Sequence, residues 1–264
     1  MLRSFLMSLF VLVAVGLAAD AQEAAQEKNT EPSVEQLSSA ADGGDVKAML
    51  QLGGVFETGS KCVKANPKMA FRQYQRASKA GSAVGDFHMA RCHDTGVGVS
   101  KNPVQATRLY RKAALAGVVV ANTVMARRYF EGKGLESDPV AAVGWLTRGS
   151  QAGSIEAMVL LGERFEMGDV VGKDLNRAGQ LYSSAAQRND PTGNYKLAML
   201  YLKGIGTKAD PVRAYVLLNK AQALPIAKTT FEELGKRLTA EQLELAKKKM
   251  SEAAAAAKAK ESKK

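Results

Sequence analysis

Glycine and alanine recur in this chain at a fixed offset of 36 residues, and no other feature limits its fold as much. Gly96, Gly132, Gly168 and Gly204 share that spacing, as do Ala70, Ala106, Ala142, Ala178 and Ala214. Gly81, Gly117 and Gly153 mark the ends of units, with Asn189 and Pro225 at the equivalent later points. Pro67, Pro103, Pro139 and Pro211 fall on the same grid, and Leu175 takes the remaining slot. A period in this range marks a stacked array, in which one unit cannot bury both of its faces alone. Five units therefore run from about 41 to 225, the first with one extra loop residue.

Each unit reads as two helices joined by a glycine turn. Gly85, Met89, Ala90 and His93 share one face of a first helix, and Ala121, Met125, Ala126 and Tyr129 occupy the same slots one unit later. Gly96-Val97-Gly98-Val99 ends that helix, because glycine accepts the left-handed backbone at a helix end. Asn102-Pro103, Asp138-Pro139 and Asp210-Pro211 start the second helix, the side chain capping free amides ahead of a proline that sacrifices no hydrogen bond. Ala106, Leu109, Tyr110 and Ala113 form its buried stripe. The expected fold is all-α: a right-handed superhelical solenoid of about five stacked helix-turn-helix units.

The pattern resembles the Sel-one-like repeat (SLR) of the tetratricopeptide superfamily, most closely over residues 85–117 (GDFHMARCHDTGVGVSKNPVQATRLYRKAALAG). The fourth unit departs from it, with Val170 for the second glycine and Leu175 for the proline, which puts its turn geometry in question. The resemblance implies a scaffold for protein–protein contacts, common among secreted bacterial proteins. It also implies, by analogy with cysteine-rich members, an alternative as a cell-wall or β-lactam hydrolase, for which no serine here has a base beside it.

The flanks carry different signals. Arg3, the apolar stretch from Phe5 to Ala19 and Ala19-Asp20-Ala21 fit a secretory signal peptide over 1–21, against the competing reading of an uncleaved anchor. That predicts an exported protein, periplasmic or secreted, with no transmembrane segment after cleavage. Residues 22–40 read as a polar, flexible leader interrupted by Pro32. After the array, Thr230-Phe231-Glu232-Glu233 and Thr239-Ala240-Glu241-Gln242 both fit a capping box, so 226–250 reads as C-terminal capping helices. Leu243, Ala246 and Met250 would cover the open end of the stack. The Ala/Lys-rich tail 251–264 is open to either a helical or a disordered state.

Few residues invite chemistry. His88 and His93 are the only histidines, and His88 and Cys92 stand four apart on a helix. A mononuclear zinc site needs further ligands, and His93 sits in the ring slot of Tyr129, Phe165 and Tyr201, so neither a metal nor a cofactor is expected. Cys92, His93 and Asp94 are consecutive, which on a helix points them about 100° apart and rules out a triad. Cys62 and Cys92 are an even pair in an exported chain; a bridge between them and two thiols both stay open.

A partner surface is expected on the first helices, opposite their buried arc. There lie Phe87 with Arg91, Thr123 with Arg127, Val159 with Glu163, and Tyr195 with Met199, with Arg128 and Arg164 enlarging a basic cluster. The candidate contact residues are Phe87, Arg91, Arg127, Arg128, Arg164 and Tyr195. In a stack of hairpins the first helices line the concave face, where extended partners lie. The plain alternative is a solvated face with scattered apolar residues. Net charge is +11 at pI ≈ 9.6, which favours an acidic protein or peptide, or an anionic envelope polymer held by the lysine tail. Export makes nucleic acid an unexpected partner.

Overall fold

The computed structural model describes residues 33–60, 63–205 and 208–261. Among them are thirteen α-helices and no strand. The expected signal peptide 1–21, the expected leader up to residue 32, and Cys62 with its candidate bridge to Cys92 lie outside the described residues. No described helix is long and apolar enough to cross a membrane. The chain divides into two compact units, one ending at Ala80 and the other beginning at Gly81.

The first unit holds α1 (Val34–Asp42), α2 (Val46–Thr58) and α3 (Pro67–Lys79). Residues 34–40 had the composition of a leader, yet they form most of α1. Ser33 and Gln36 explain the start: each side chain bonds the other's backbone N–H, at 3.2 and 2.9 Å, a complete capping box. Leu37 and Ala41, one turn apart, then pack on Ala48, Met49 and Leu52 of α2. Two apolar residues suffice when the neighbouring helix supplies the other half of the core.

The second unit contains α4 (Ala83–Thr95), α5 (Pro103–Leu115), α6 (Val119–Glu131), α7 (Pro139–Gln151), α8 (Ile155–Met167), α9 (Leu175–Gln187), α10 (Pro191–Lys203), α11 (Pro211–Lys220), α12 (Pro225–Arg237) and α13 (Ala240–Glu261). From α4 to α12 each helix packs on the next in chain order, α6 also meets α8, and α13 lies on α11. The hairpins thus stack as an all-α solenoid. Gly96, Gly132, Gly168 and Gly204 end the first helices in the left-handed region. Asn189, at φ 59°, holds the same region in the slot of Gly81, Gly117 and Gly153. Asparagine is the residue that tolerates this best after glycine.

The second glycine of the turn has a separate reason. A Cβ on Gly134 would lie 2.2 Å from the Pro103 carbonyl oxygen and 2.8 Å from Thr107 Oγ1, so the turn of one repeat rests directly on the second helix of the repeat before it. Repeat four keeps its turn despite Val170 and Leu175. Asp174 caps α9 through the backbone N–H groups of Asn176 and Arg177, and its own N–H donates to Phe165 O at 2.9 Å. Asp138 makes the corresponding bond to Tyr129 O at 3.0 Å. The cap, not the proline, sets this geometry.

At the C-terminal end, the box at Thr239 forms as its sequence indicates, with Gln242 N and Oε1 bonded to Thr239. The box at Thr230 does not. Pro225 starts α12 five residues earlier, and Thr230 Oγ1 donates within the helix to Ile226 O. Tyr215 stacks on Phe231 at 4.1 Å, and Leu243, Ala246 and Met250 join the cluster around Leu218. The tail continues α13 as far as Glu261.

Candidate interaction surface

Arg128 is the centre of the basic cluster in sequence and lies inside the protein in space. Its side chain is 3% exposed and pairs with Asp94 at 2.9 Å. Nε donates to Thr107 Oγ1 at 2.7 Å and Nη2 to the Pro103 carbonyl at 2.8 Å. The guanidinium also lies 5.4 Å from the Tyr110 ring centre. Lys133 closes the group with a 3.0 Å contact to Asp94. Burial pushes the Asp94 carboxyl up, but bonds and charge from Arg128 and Lys133 more than reverse this and hold it below the ordinary range. Burial beside Asp94 pushes the Tyr110 hydroxyl up to about 12. The network ties α4, α5 and α6 together, and Arg128 is thereby withdrawn from any surface role.

The other predicted contact residues scatter. Phe87 is half-buried and packs edge-on against Tyr110 at 5.4 Å, so it belongs to its own hairpin. Tyr195 is half-buried against the cluster around Leu218. Thr123 is buried with its hydroxyl 3.3 Å from that of Ser154, and Val159 is buried beside Met158 and Ala185. The arc expected to form a groove is, in the middle repeats, taken up by packing, Thr123 against the next repeat and Val159 within its own hairpin. Arg127 remains exposed but is paired with Glu156 at 2.6 Å. Arg164 pairs with Asp169 at 3.0 Å and covers Phe130; Arg91 is half-buried. Lys196 reaches Glu163 and Glu166 at 3.1 and 3.4 Å. Despite burial, Tyr182 and Lys196 hold the Glu166 carboxyl below its ordinary range, and both glutamates raise Lys196. The first-helix face is a lacing of opposite charges between repeats.

His88 and His93 are half-buried and Cys92 is buried, His88 meeting the Phe87 ring edge-on at 5.8 Å. Among the described residues no group of three His, Cys, Asp or Glu side chains could hold a metal ion.

Open space lies along the second helices of the later repeats. A cavity of about 670 Å³ follows α9 from Leu175 to Ser184, with Leu197, Leu200 and Tyr201 of α10 as its floor. A second, of about 370 Å³, shares Gln180 and Ser184 with it and reaches Leu161 and Phe165. A third, of about 210 Å³, shares Leu197, Tyr201 and Arg213 and ends at Lys249. The second lies on the α7 side of α9, with Gln180 and Ser184 between it and the main trough, which the first cavity and the third form. Its cause is local: α9 carries Gly179, Ser183 and Ser184 where α7 has Val143, Thr147 and Arg148, and α11 has Tyr215, Asn219 and Lys220. A side chain at 179 would meet only Leu200, at 3.4 Å. That run of small residues, in the repeat that also lacks its proline, is the sequence signal for this trough.

Comparison with known proteins gives a consistent picture. A family model described as Sel1 repeat matches residues 46–82, 83–118, 119–154, 155–190 and 191–222. Among solved structures, a Sel1 repeat protein from Oxalobacter formigenes is 27% identical with a TM-score of 0.71, over 76% of this chain and 58% of that one. A protective antigen present in uropathogenic Escherichia coli strains, displaying an SLR fold, is 23% identical with a TM-score of 0.57, over 84% and 56%. The chain therefore spans little more than half the length of either. No curated protein matches it.

Proposed function

This chain belongs to the Sel1 repeat family, and from that premise we propose that it is a non-enzymatic scaffold that holds a protein or peptide partner. The observation that carries this reading is the unbroken run of five repeats from 46 to 222. Such a stack offers extended surface and little enclosed volume, the geometry of a docking platform. The first-helix face, with Arg91, Arg127 and Arg164, is one place for an acidic partner, and the +11 net charge favours that sign. Export is supported by the residue pattern of 1–21 and is tested by N-terminal sequencing of the mature protein. Pull-down from an envelope extract compares wild type with a variant reversing the charge of those three arginines. Loss of specific partners from the variant is expected; equal recovery removes the first-helix face from the account.

A second reading rests on α13. Beyond Met250 its described side chains are exposed, Lys258 among them. This suits an electrostatic tether to anionic envelope polymer, whose retention would fall with added salt.

A further inference from the structure

We propose that the trough along α9 is a binding site for an extended, acidic peptide with alternating apolar side chains. The proposal rests on the scaffold reading above and assigns it a place and a ligand chemistry. No aspartate or glutamate is among the described residues lining the three cavities, while Arg177, Arg213 and Lys249 stand at their edges. Arg177 and Arg213 do pair with the cap aspartates Asp174 and Asp210, at 3.3 and 3.1 Å. Those are exposed contacts three residues apart, the kind that yields readily to a better-placed carboxylate. Each of these arginines also lies over an aromatic face, Phe165 at 5.5 Å and Tyr201 at 5.6 Å, which holds the charge beside the trough.

The lining fits a strand in particular. Its floor is apolar, with Leu197 and Leu200, and takes the side chains that point down. Its wall presents Asn176 and Gln180, amides that donate and accept, one helical turn or ~5–6 Å apart. In an extended chain, backbone groups facing the same way repeat every ~6.6 Å, so both amides can reach one strand. From Leu175 to Ser184 the helix runs ~14 Å, room for about four extended residues in the main cavity. Alternating carboxylates would then face solvent and the three cations.

The test uses the chain from residue 22 onward and a fluorescein-labelled octapeptide of alternating leucine and glutamate, read by fluorescence anisotropy. A leucine–lysine octapeptide is the charge control. Wild type should bind the glutamate peptide at least tenfold more tightly than the lysine one, and less tightly as salt is raised. The double variant Gly179→Leu, Ser183→Leu fills the trough and should lose at least tenfold. Lys249→Glu, on the exposed face of α13, should lose several-fold and does not depend on repacking. Val104→Ala, at an exposed position on α5 away from both faces, should bind as wild type does. Unchanged binding by both trough variants, or equal binding of the two peptides, overturns the proposal. If partners captured from envelope extract are lost from the arginine-reversal variant while the trough variants keep them, the trough falls and the scaffold reading stands.

Discussion

Burial separates Arg128 from Arg127: one side chain is 3% exposed and held by four groups, the other 56% exposed and held by one. Removing Arg128 leaves the half-buried Asp94 with Lys133 alone and strips Thr107 and the Pro103 carbonyl of their donor. Arg128→Met should therefore cost about 3 kcal/mol, the scale for breaking a buried pair from one side. Arg127→Ala removes a solvated pair and should cost less than ~1 kcal/mol. Urea unfolding of the two variants checks this, and equal costs would contradict it. A related economy governs the glycines inside first helices. A Cβ on Gly162 would strike the Tyr182 ring at 2.6 Å, and Tyr182 Oη donates to Glu166, four residues beyond Gly162, at 2.7 Å. Gly53, Tyr74 and Glu57 repeat the arrangement, with a 2.8 Å bond. Ala126 stands where ring and carboxylate are absent, with Leu146 and Phe130 in their slots, whereas Ala90 keeps Tyr110 and Asp94 without the glycine.

Between helices, the carboxylates make pH a probe of the stack. Asp94 links α4 to α6, and Glu166 links α8 to α9 and α10. Both sit below their ordinary range when folded, so their contribution is complete above the unfolded value of ~4 and is lost as pH falls through the folded one. Lys196 has the opposite sign: raised when folded, it contributes fully below its unfolded value and loses that contribution at strongly basic pH. Glu166→Gln should flatten the acid limb of the stability–pH curve, measured by denaturant midpoint between pH 3 and 6 (~1–2 units either side of the carboxylate range). An unchanged limb would contradict the link. The helices themselves were legible because caps and glycines act locally: Asn102, Asp138, Asp210 and Asn189 each do what their residue type does anywhere. Residues 34–40 were missed because Leu37, with Ala41 just beyond, packs on α2, a partner no local pattern reveals. Thr230 misled because a capping box is only four letters, and Pro225 had already begun the helix.

Across the second unit, the repeat ladder fixes what is buried, and neighbours decide what stays open. Sequence periodicity gives the angle of a residue on its helix but not the helix that will cover it. Thr123 and Val159 therefore looked outward and proved buried, the one against the next repeat and the other within its own hairpin. Arg128 looked like part of a basic patch and proved to be its anchor. The trough was legible only by comparing repeats, since Gly179, Ser183 and Ser184 are unremarkable until set against Tyr215, Asn219 and Lys220. The central claim is that the repeats serve as a docking platform for a partner chain. It is tested most directly by placing a photo-crosslinking amino acid at Ser183, at Arg127 and, as a control, at exposed Val104 on α5, and irradiating cells that express the full chain. The account predicts an adduct of one discrete mass from Ser183 or Arg127 and none from Val104. Equal, diffuse labelling from all three positions, or none from any, would contradict it.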